Sequence, residues 1–478
     1  MKDYAIINSE ETESEVAEQM EFYGRESQRR SLHKIIERKG HQVSLIYGRR
    51  RIGKSELIKQ VLRESSVRSI YYECKQTTEP NNVDSLAVLI SECFHFPKPS
   101  FSSLEELLNY LFQHAEGEPL ILVLDEYPYL RETTVGLDSI LQSLIDKYRD
   151  SSELKLILCG SYVDIMKSLL ESQNPLYGRV DLTIDLKQMD YDESAMFYPS
   201  FSNEDKVRLY SVFGGIPYYN KLIDERLSVK DNIMELIASP GARLENEVEM
   251  YLRSEIAKIN NANEVFEALA KGFSKFHDLL SQSHVSSGPT LIDVLKRLIK
   301  MEVVQKEAPI NDEKNKRKAG YHIIDNLSLF YYRYIYRFSS QLSVMDPEVF
   351  YARYIEHDFE TDYVPHLFES ICKQYLIRQN RSGKLAIPFE KIGKYYYDDP
   401  TTRTNGEFDI VTKDPEGYIF YEAKFRKAPL TQSMIEQEIK QVKAAKLDCY
   451  RYGFFSRSGF ESEPNDDMIF ITLDDLYS

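Results

Sequence analysis

The chain has 478 residues, 42% of them hydrophobic, and a formal net charge of −16 at pH 7. That length fits roughly three domains, and the acidity weighs against avid, nonspecific nucleic-acid binding without excluding a local basic groove. No apolar run approaches the ~20 residues of a membrane span, and five cysteines (Cys74, Cys93, Cys159, Cys372, Cys449) lack paired spacing, which speaks for reduced thiols in a cytoplasm and against a zinc site.

Residues 1–21 carry Glu10, Glu11, Glu13, Glu15, Glu18 and Glu21 and read as an acidic, mobile tail with no signal-peptide pattern. Residues 43–47 read as a buried strand. Gly48-Arg49-Arg50-Arg51-Ile52-Gly53-Lys54-Ser55 follows and fits G-x-x-x-x-G-K-[ST] at every fixed position. From Ser55 the apolar positions Leu57, Ile58 and Val61 recur at helical spacing. Strand, glycine loop and helix together aim backbone N–H groups and a helix N-terminus at phosphates. Lys54 is expected to meet the β- and γ-phosphates of ATP, and Ser55 the Mg²⁺ ion.

The apolar run 119–124 reads as a parallel strand ending in Asp125-Glu126, at the strand end where ligands sit in open α/β sheets. Asp125 is the expected magnesium ligand and Glu126 the carboxylate that polarises the attacking water. A third strand, 154–159, leads to Ser161, placed to sense the γ-phosphate. Arg179, in Asn174-Pro175-Leu176-Tyr177-Gly178-Arg179, reads either as an arginine that stabilises transition-state charge, in its own subunit or a neighbour's, or as half of a surface salt bridge. Gly214-Gly215-Ile216-Pro217 reads as a turn between helical stretches.

In order along the chain, Phe22-Tyr23-Gly24-Arg25-Glu26, the phosphate loop, Leu124-Asp125-Glu126, Tyr177-Gly178-Arg179 and Gly214-Gly215-Ile216-Pro217 resemble the boxes of prokaryotic AAA-like ATPases related to the signal-transducing STAND class. The resemblance implies that residues 22–26, with Tyr23, Gly24 and Arg25, and Pro217 lie near the adenine. The rest of the chain looks like that of archaeal-type ATPases with a winged helix and a C-terminal restriction-endonuclease-like domain.

In the middle segment, residues 263–271 and 276–281 read as two helices, 286–289 as a turn, and Thr290 as the cap or opening of a third helix running to Lys300. Residues 303–306 and 320–324 would form a β-wing. The third helix of such a module enters the major groove, and here it carries Lys296, Arg297 and Lys300. The loop adds Lys314, Lys316, Arg317 and Lys318. DNA contact and a solvated or protein-binding face both fit these cations. The aromatic run 330–336 reads as a packed helix joining two domains more readily than as a base-stacking surface.

Near the C-terminus, residues 407–411 and 418–424 flank the turn residues 414–417. A symmetric hairpin sets Asp409 opposite Glu422 and Glu407 opposite Lys424, all on one face, with Phe408, Ile410, Tyr421 and Ala423 on the other. Opposed carboxylates about 5 Å apart call for a cation between them, and magnesium takes carboxylate oxygens plus waters. Lys424 would orient water or steady phosphate charge. The pattern resembles the PD-(D/E)XK nucleases, which implies Glu369 as the acid on a helix and Gln437 or Gln441 as helpers. Phe408 stands where that pattern has proline.

The expected fold is α/β and multidomain, with an acidic tail (1–21), a P-loop ATPase core on a parallel sheet (22–190), a helical lid (191–255), a winged helix with connecting helix (256–340) and a restriction-endonuclease-like domain (341–478). ATP and Mg²⁺ are the expected cofactors. The expected metal ligands are Ser55, Asp125, Glu369, Asp409 and Glu422, and the candidate catalytic residues Lys54, Glu126, Arg179, Asp409, Glu422 and Lys424. DNA, a protein partner or a second copy of the chain are the expected partners, in the cytoplasm and away from membranes. Two readings stay open: an ATP-dependent enzyme acting on DNA, and a regulatory switch or scaffold whose nuclease-like domain only binds.

Overall fold

Strands β3 (Leu120–Asp125) and β4 (Leu154–Gly160) are buried at every residue, as expected for strands covered on both faces by helices. The computed structural model describes residues 22–250, 261–315, 317–399 and 404–478. It divides into two units, Met1–Met189 with Ile216–Tyr218, and Asp190–Gly215 with Tyr219–Ser478. Most of the expected lid, residues 191–255, thus falls in the second unit. The expected tail and Lys316 lie outside the described residues. Among the described residues no helix is long and apolar enough to cross a membrane.

The first unit is built on a five-stranded sheet in the order β2-β3-β4-β1-β5, with β1 at Gln42–Tyr47, β2 at Arg68–Glu73 and β5 at Leu182–Asp185. Every pairing in it is parallel, so helices must make the crossovers. Leu45, Leu122 and Leu156 pack with helix residues Leu107, Leu111 and Leu141 in its core. Lys155 is 1% exposed, yet its ammonium donates to the carbonyls of Arg38 and Gly40 and pairs with Glu153 at 3.4 Å. A buried cation is tolerated when it is satisfied in this way. Helix α1 (Lys54–Glu64) leaves the end of β1 through the glycine loop, and α2 (Tyr127–Thr133) leaves the end of β3.

The second unit holds three helices, α3 (Ala262–Ala270), α4 (Phe276–Gln282) and α5 (Gly288–Lys300), followed by an antiparallel pair, β6 (Val304–Glu307) with β7 (Gly320–Ile323). Ser287, not Thr290, caps α5, accepting from the Thr290 N–H. Leu291, Val294, Leu295 and Leu298 form its buried stripe, while Lys296, Arg297 and Lys300 are exposed. Of the run 330–336, Tyr331, Tyr332, Tyr334 and Ile335 are buried, and Tyr332 stacks on Phe266 with ring centroids 4.9 Å apart. These rings are core, with no face left for bases.

The C-terminal part of this unit is a mixed sheet in the order β12-β11-β10-β9-β8. Helix α6 (Val364–Arg381) precedes β8 (Lys391–Asp399), β9 (Thr404–Asp414) and β10 (Gly417–Lys424), and α7 (Gln432–Ala444) links β10 to the parallel strands β11 (Cys449–Ser456) and β12 (Met468–Thr472). The turn falls where the sequence places it: Gly417 pairs with Asp414, whose Oδ1 accepts from the N–H groups of Glu416 and Gly417.

The alternation predicted for β9 does not survive its whole length. Gly393 pairs with Val411 and Tyr395 with Phe408, so two steps on β8 span three on β9. The extra residue is a β-bulge, which resets which face each side chain takes. Phe408 therefore joins Val411 and Phe420 in one core, its ring 5.0 Å from that of Phe420, instead of sharing a face with Ile410. The ladder to β10 runs from Gly417–Asp414 to Tyr421–Ile410 and ends one pair short of Asp409 and Glu422.

Candidate functional site

The glycine loop closes tightly after β1. A Cβ on Gly48 would meet the carbonyl oxygen of Leu186 at 2.4 Å, so no side chain fits there. Gly53 caps α1 at φ 91°, a left-handed conformation that favours glycine. Lys54, 5% exposed, turns its ammonium into the loop and donates to Gly48 O (2.9 Å), Arg49 O (3.1 Å) and Ser161 Oγ (2.9 Å). Burial lowers its pKa, and the nearby Cys159, Glu126 and Asp125 pull it back up.

The acid side faces this lysine. Ser55 Oγ donates to Asp125 Oδ2 at 2.6 Å, and the Tyr71 hydroxyl donates to the same oxygen. Asp125 Oδ1 accepts from the Glu126 N–H at 2.9 Å. Glu126 sits at φ 53°, a strained conformation for glutamate that turns its carboxylate toward β4. There it accepts from Ser161 twice, at 2.6 Å from Oγ and 3.2 Å from the backbone N–H. Ser161 thus joins Lys54 to Glu126 in one hydrogen-bonded chain. Sequence order separates these residues, and the ends of β1, β3 and β4 bring them together.

This donor set fits the expected cofactors. A serine hydroxyl and a carboxylate oxygen 2.6 Å apart are hard oxygen ligands of the kind Mg²⁺ uses along with water. Lys54 and the N–H groups opening α1 would hold the phosphates.

The flanking boxes come to the same loop. Arg25, 4% exposed, donates to Ile52 O at 3.4 Å. Pro217 lies 3.6 Å from the position of a Cβ on Gly53, and Arg51 sits 4.4 Å over the Tyr218 ring. Tyr23 and Gly24 directly precede Arg25. Arg50 donates to Tyr162 OH at 3.2 Å. Arg179 is held elsewhere: its guanidinium makes a two-pronged pair with Asp146 at 3.0 and 2.7 Å and also donates to Pro175 O. The surface salt bridge is the arrangement the structure places there.

The C-terminal acids are gathered differently. Lys394 of β8, opposite the bulge, donates to Asp409 Oδ1 at 2.6 Å and Glu407 Oε1 at 3.1 Å. Lys275, just before α4, reaches Glu407 at 3.4 Å. Glu407 therefore pairs with Lys394 and Lys275, not with Lys424. Lys424 pairs with Glu422 and, at 3.2 Å, with Glu438 of α7; neither Gln437 nor Gln441 fills that place. Glu369 on α6 pairs with His366 at 3.4 Å. Burial pushes Glu422 up to about 7, with Lys424 opposing and Glu438 and Glu369 adding to the rise. Glu369, Asp409 and Glu422, expected as one metal set, do not converge: among the described residues no three His, Cys, Asp or Glu side chains form a group able to hold a metal ion.

Two contacts had no sequence signal, those of Tyr71 and Lys394. Each comes from a neighbouring strand whose register cannot be read from local pattern.

A parallel sheet carrying this loop and acid pair defines an ATPase domain of the P-loop class. Residues 22–223 match the model of an ATPase domain found predominantly in Archaea, and residues 331–442 match a family described as archaeal and bacterial proteins of unknown function. An uncharacterised protein of Methanocaldococcus jannaschii is 26% identical over 464 residues, 95% of this chain and all of that protein. An uncharacterised ATP-binding protein of the same organism is 24% identical over 274 residues, 46% of this chain and 74% of its own length. A Walker-type ATPase of Pyrococcus abyssi shares the fold, with a TM-score of 0.51 and 21% identity over 65% of this chain and 96% of that one.

Proposed function

We propose that the chain binds and hydrolyses ATP with Mg²⁺ at Lys54, Ser55, Asp125 and Glu126, and that its ATP state governs a DNA-directed second unit. The α3–α5 helices and β6–β7 hairpin are read as a winged helix, presenting Lys296, Arg297 and Lys300 on α5 to phosphates. The order α6-β8-β9-β10-α7-β11, with Glu369 on α6, Asp409 on β9, and Glu422 and Lys424 on β10, supports a PD-(D/E)XK-like reading of the C-terminal sheet. The observation that carries the nuclease-like reading is the placement of Glu422 and Lys424 two residues apart on β10, paired with each other, with Glu438 of α7 also against Lys424 at 3.2 Å.

A second reading rests on Lys394. Its ammonium already supplies the positive charge that Asp409 and Glu407 need. That favours a C-terminal domain that binds DNA or a protein partner without cutting, coupled to ATP-dependent self-association or partner exchange.

One experiment separates the two. Purified protein is incubated with single- and double-stranded DNA, ATP, and Mg²⁺ or Mn²⁺. The cleaving reading expects nicking that disappears in Asp409→Ala with Glu422→Ala. DNA-stimulated ATP turnover without any cut strand supports the binding reading. ATP turnover that DNA leaves unchanged, with no strand cut, favours the switch reading and a protein partner.

A further inference from the structure

Tyr71 lies on β2, whose ladder to β3 pairs Tyr71 with Val123 and Glu73 with Asp125. Its hydroxyl reaches along this ladder to Asp125 Oδ2, the oxygen that also accepts from Ser55. With the Glu126 N–H on Oδ1, the carboxylate accepts from two hydroxyls and one backbone N–H, and the Cys159 thiol bonds it as well. Two of these donors, the Ser55 hydroxyl and the Glu126 N–H, come from the phosphate loop's helix and from the residue next to Asp125 in the chain. The Tyr71 phenol comes from the neighbouring strand β2.

The phenol can only donate in this position. Its hydroxyl is aimed at Asp125 Oδ2, and a carboxylate oxygen accepts. The ring is itself held. Lys59 follows Ser55 by one helical turn on α1 and places its ammonium 5.4 Å over the Tyr71 ring. The helix that carries the serine hydroxyl therefore touches both ends of the tyrosine: its hydroxyl through the shared Asp125 oxygen, and its ring face through Lys59.

We infer that Tyr71 is a positioning residue for magnesium: by donating to Asp125 it fixes the rotation of that carboxylate beside Ser55, and so sets the affinity of the nucleotide site for Mg²⁺. The inference rests on the ATP site described above. Groups that orient a metal-side carboxylate commonly change metal affinity by about ten- to a hundredfold when removed. Tyr71→Phe keeps the ring and its contact with Lys59 and removes only the donor.

The test uses the full chain and a fluorescent, non-hydrolysable ATP analogue. Its affinity is measured as Mg²⁺ is titrated, in the wild type, Tyr71→Phe, Asp125→Asn and the double variant. Tyr71→Phe is expected to need about tenfold more Mg²⁺ for half of the full tightening, while its affinity for the analogue in EDTA stays within about twofold of the wild type. In the Asp125→Asn background the same change is expected to add nothing, because Tyr71 acts through that carboxylate. An unchanged or lower Mg²⁺ requirement in Tyr71→Phe overturns the inference, and so does an equal effect with Asp125 replaced. A wild type that does not bind the analogue at all, or binds it unaltered after Lys54→Ala, overturns the ATP-site assignment itself.

Discussion

Asp125 in the first unit and Asp409 in the second are both strand carboxylates, yet their surroundings balance charge in opposite ways. Asp125 is met by neutral donors, the hydroxyls of Ser55 and Tyr71 and a backbone N–H. Asp409 is met by an ammonium, Lys394. Neutral donors orient a carboxylate and leave its negative charge in place; the nearby Lys54 ammonium bonds Gly48 O, Arg49 O and Ser161 Oγ instead, so a cation arriving at Asp125 still meets an acid that no ammonium hydrogen-bonds. An ammonium at 2.6 Å has already neutralised Asp409. The first arrangement is prepared for an outside cation, and the second is complete without one.

The largest effect that would break this comparison is on turnover. Glu126→Gln keeps the site's shape and removes the carboxylate proposed as the base, so ATP hydrolysis is expected to fall about a thousandfold with nucleotide binding retained; a phosphate-release assay beside an analogue titration reads both. Next comes Lys394→Met. It strips the internal cation from Asp409 and Glu407 and is expected to cost the second unit about 2 kcal/mol in urea unfolding. If Mg²⁺ restores that loss while leaving the wild type unchanged, a metal can stand where the ammonium stood, and the two acids are more alike than the contrast allows.

A smaller effect is expected from pH. Glu422 holds its proton up to about 7 in the fold, against an ordinary 4.5. Its ionisation therefore favours the unfolded chain, and the stability it contributes falls as pH rises from the lower value through the higher. Glu422→Gln removes that fall, so the variant's thermal midpoint should gain on the wild type between pH 5 and pH 8. Smallest of all is Arg179→Ala. Its loss breaks an exposed pair with Asp146, which is expected to change stability by no more than about 0.5 kcal/mol, and turnover by less than about twofold. A large drop in turnover instead would return Arg179 to the reaction.

The first unit was legible because its chemistry is contiguous. Residues 48–55 contain glycine, lysine and serine in one turn of chain, and the strand before Asp125 is apolar from end to end, so both readings needed only local pattern. What escaped were contacts made across strands. Tyr71 reaches Asp125 across a sequence separation of 54, and nothing in residues 68–73 marks one of two adjacent tyrosines as the one aimed at the acid. In the hairpin the turn was legible from Asp414 and Gly417, and the alternation held as far as Ile410. Beyond it the bulge moved Phe408 to the other face, and Lys394 took both Glu407 and Asp409. Gly393, at the register shift itself, and Gly406 were the hints there, since glycine inside a strand often marks irregular pairing. The helices of the middle segment were readable from their apolar spacing, but the charged loop was not. Lys318 pairs with Asp312 at 3.0 Å and lies 4.1 Å over the Tyr396 ring, so part of the expected cationic face is spent inside the unit.

That loop has one more effect, on the outer rim of the mixed sheet. The Ile310 N–H donates to Lys394 O at 2.8 Å, and the Asn311 side chain both donates to Tyr396 O at 2.7 Å and accepts from its N–H at 3.1 Å. A single amide group thereby imitates the missing neighbour of β8. A row of unsatisfied backbone groups invites another chain to add itself as a strand, and here the invitation is withdrawn around Lys394 and Tyr396 by a side chain that cannot propagate the ladder. Replacing Asn311 would reopen that rim, and the fault would surface as clumping of the protein at high concentration, away from either candidate site.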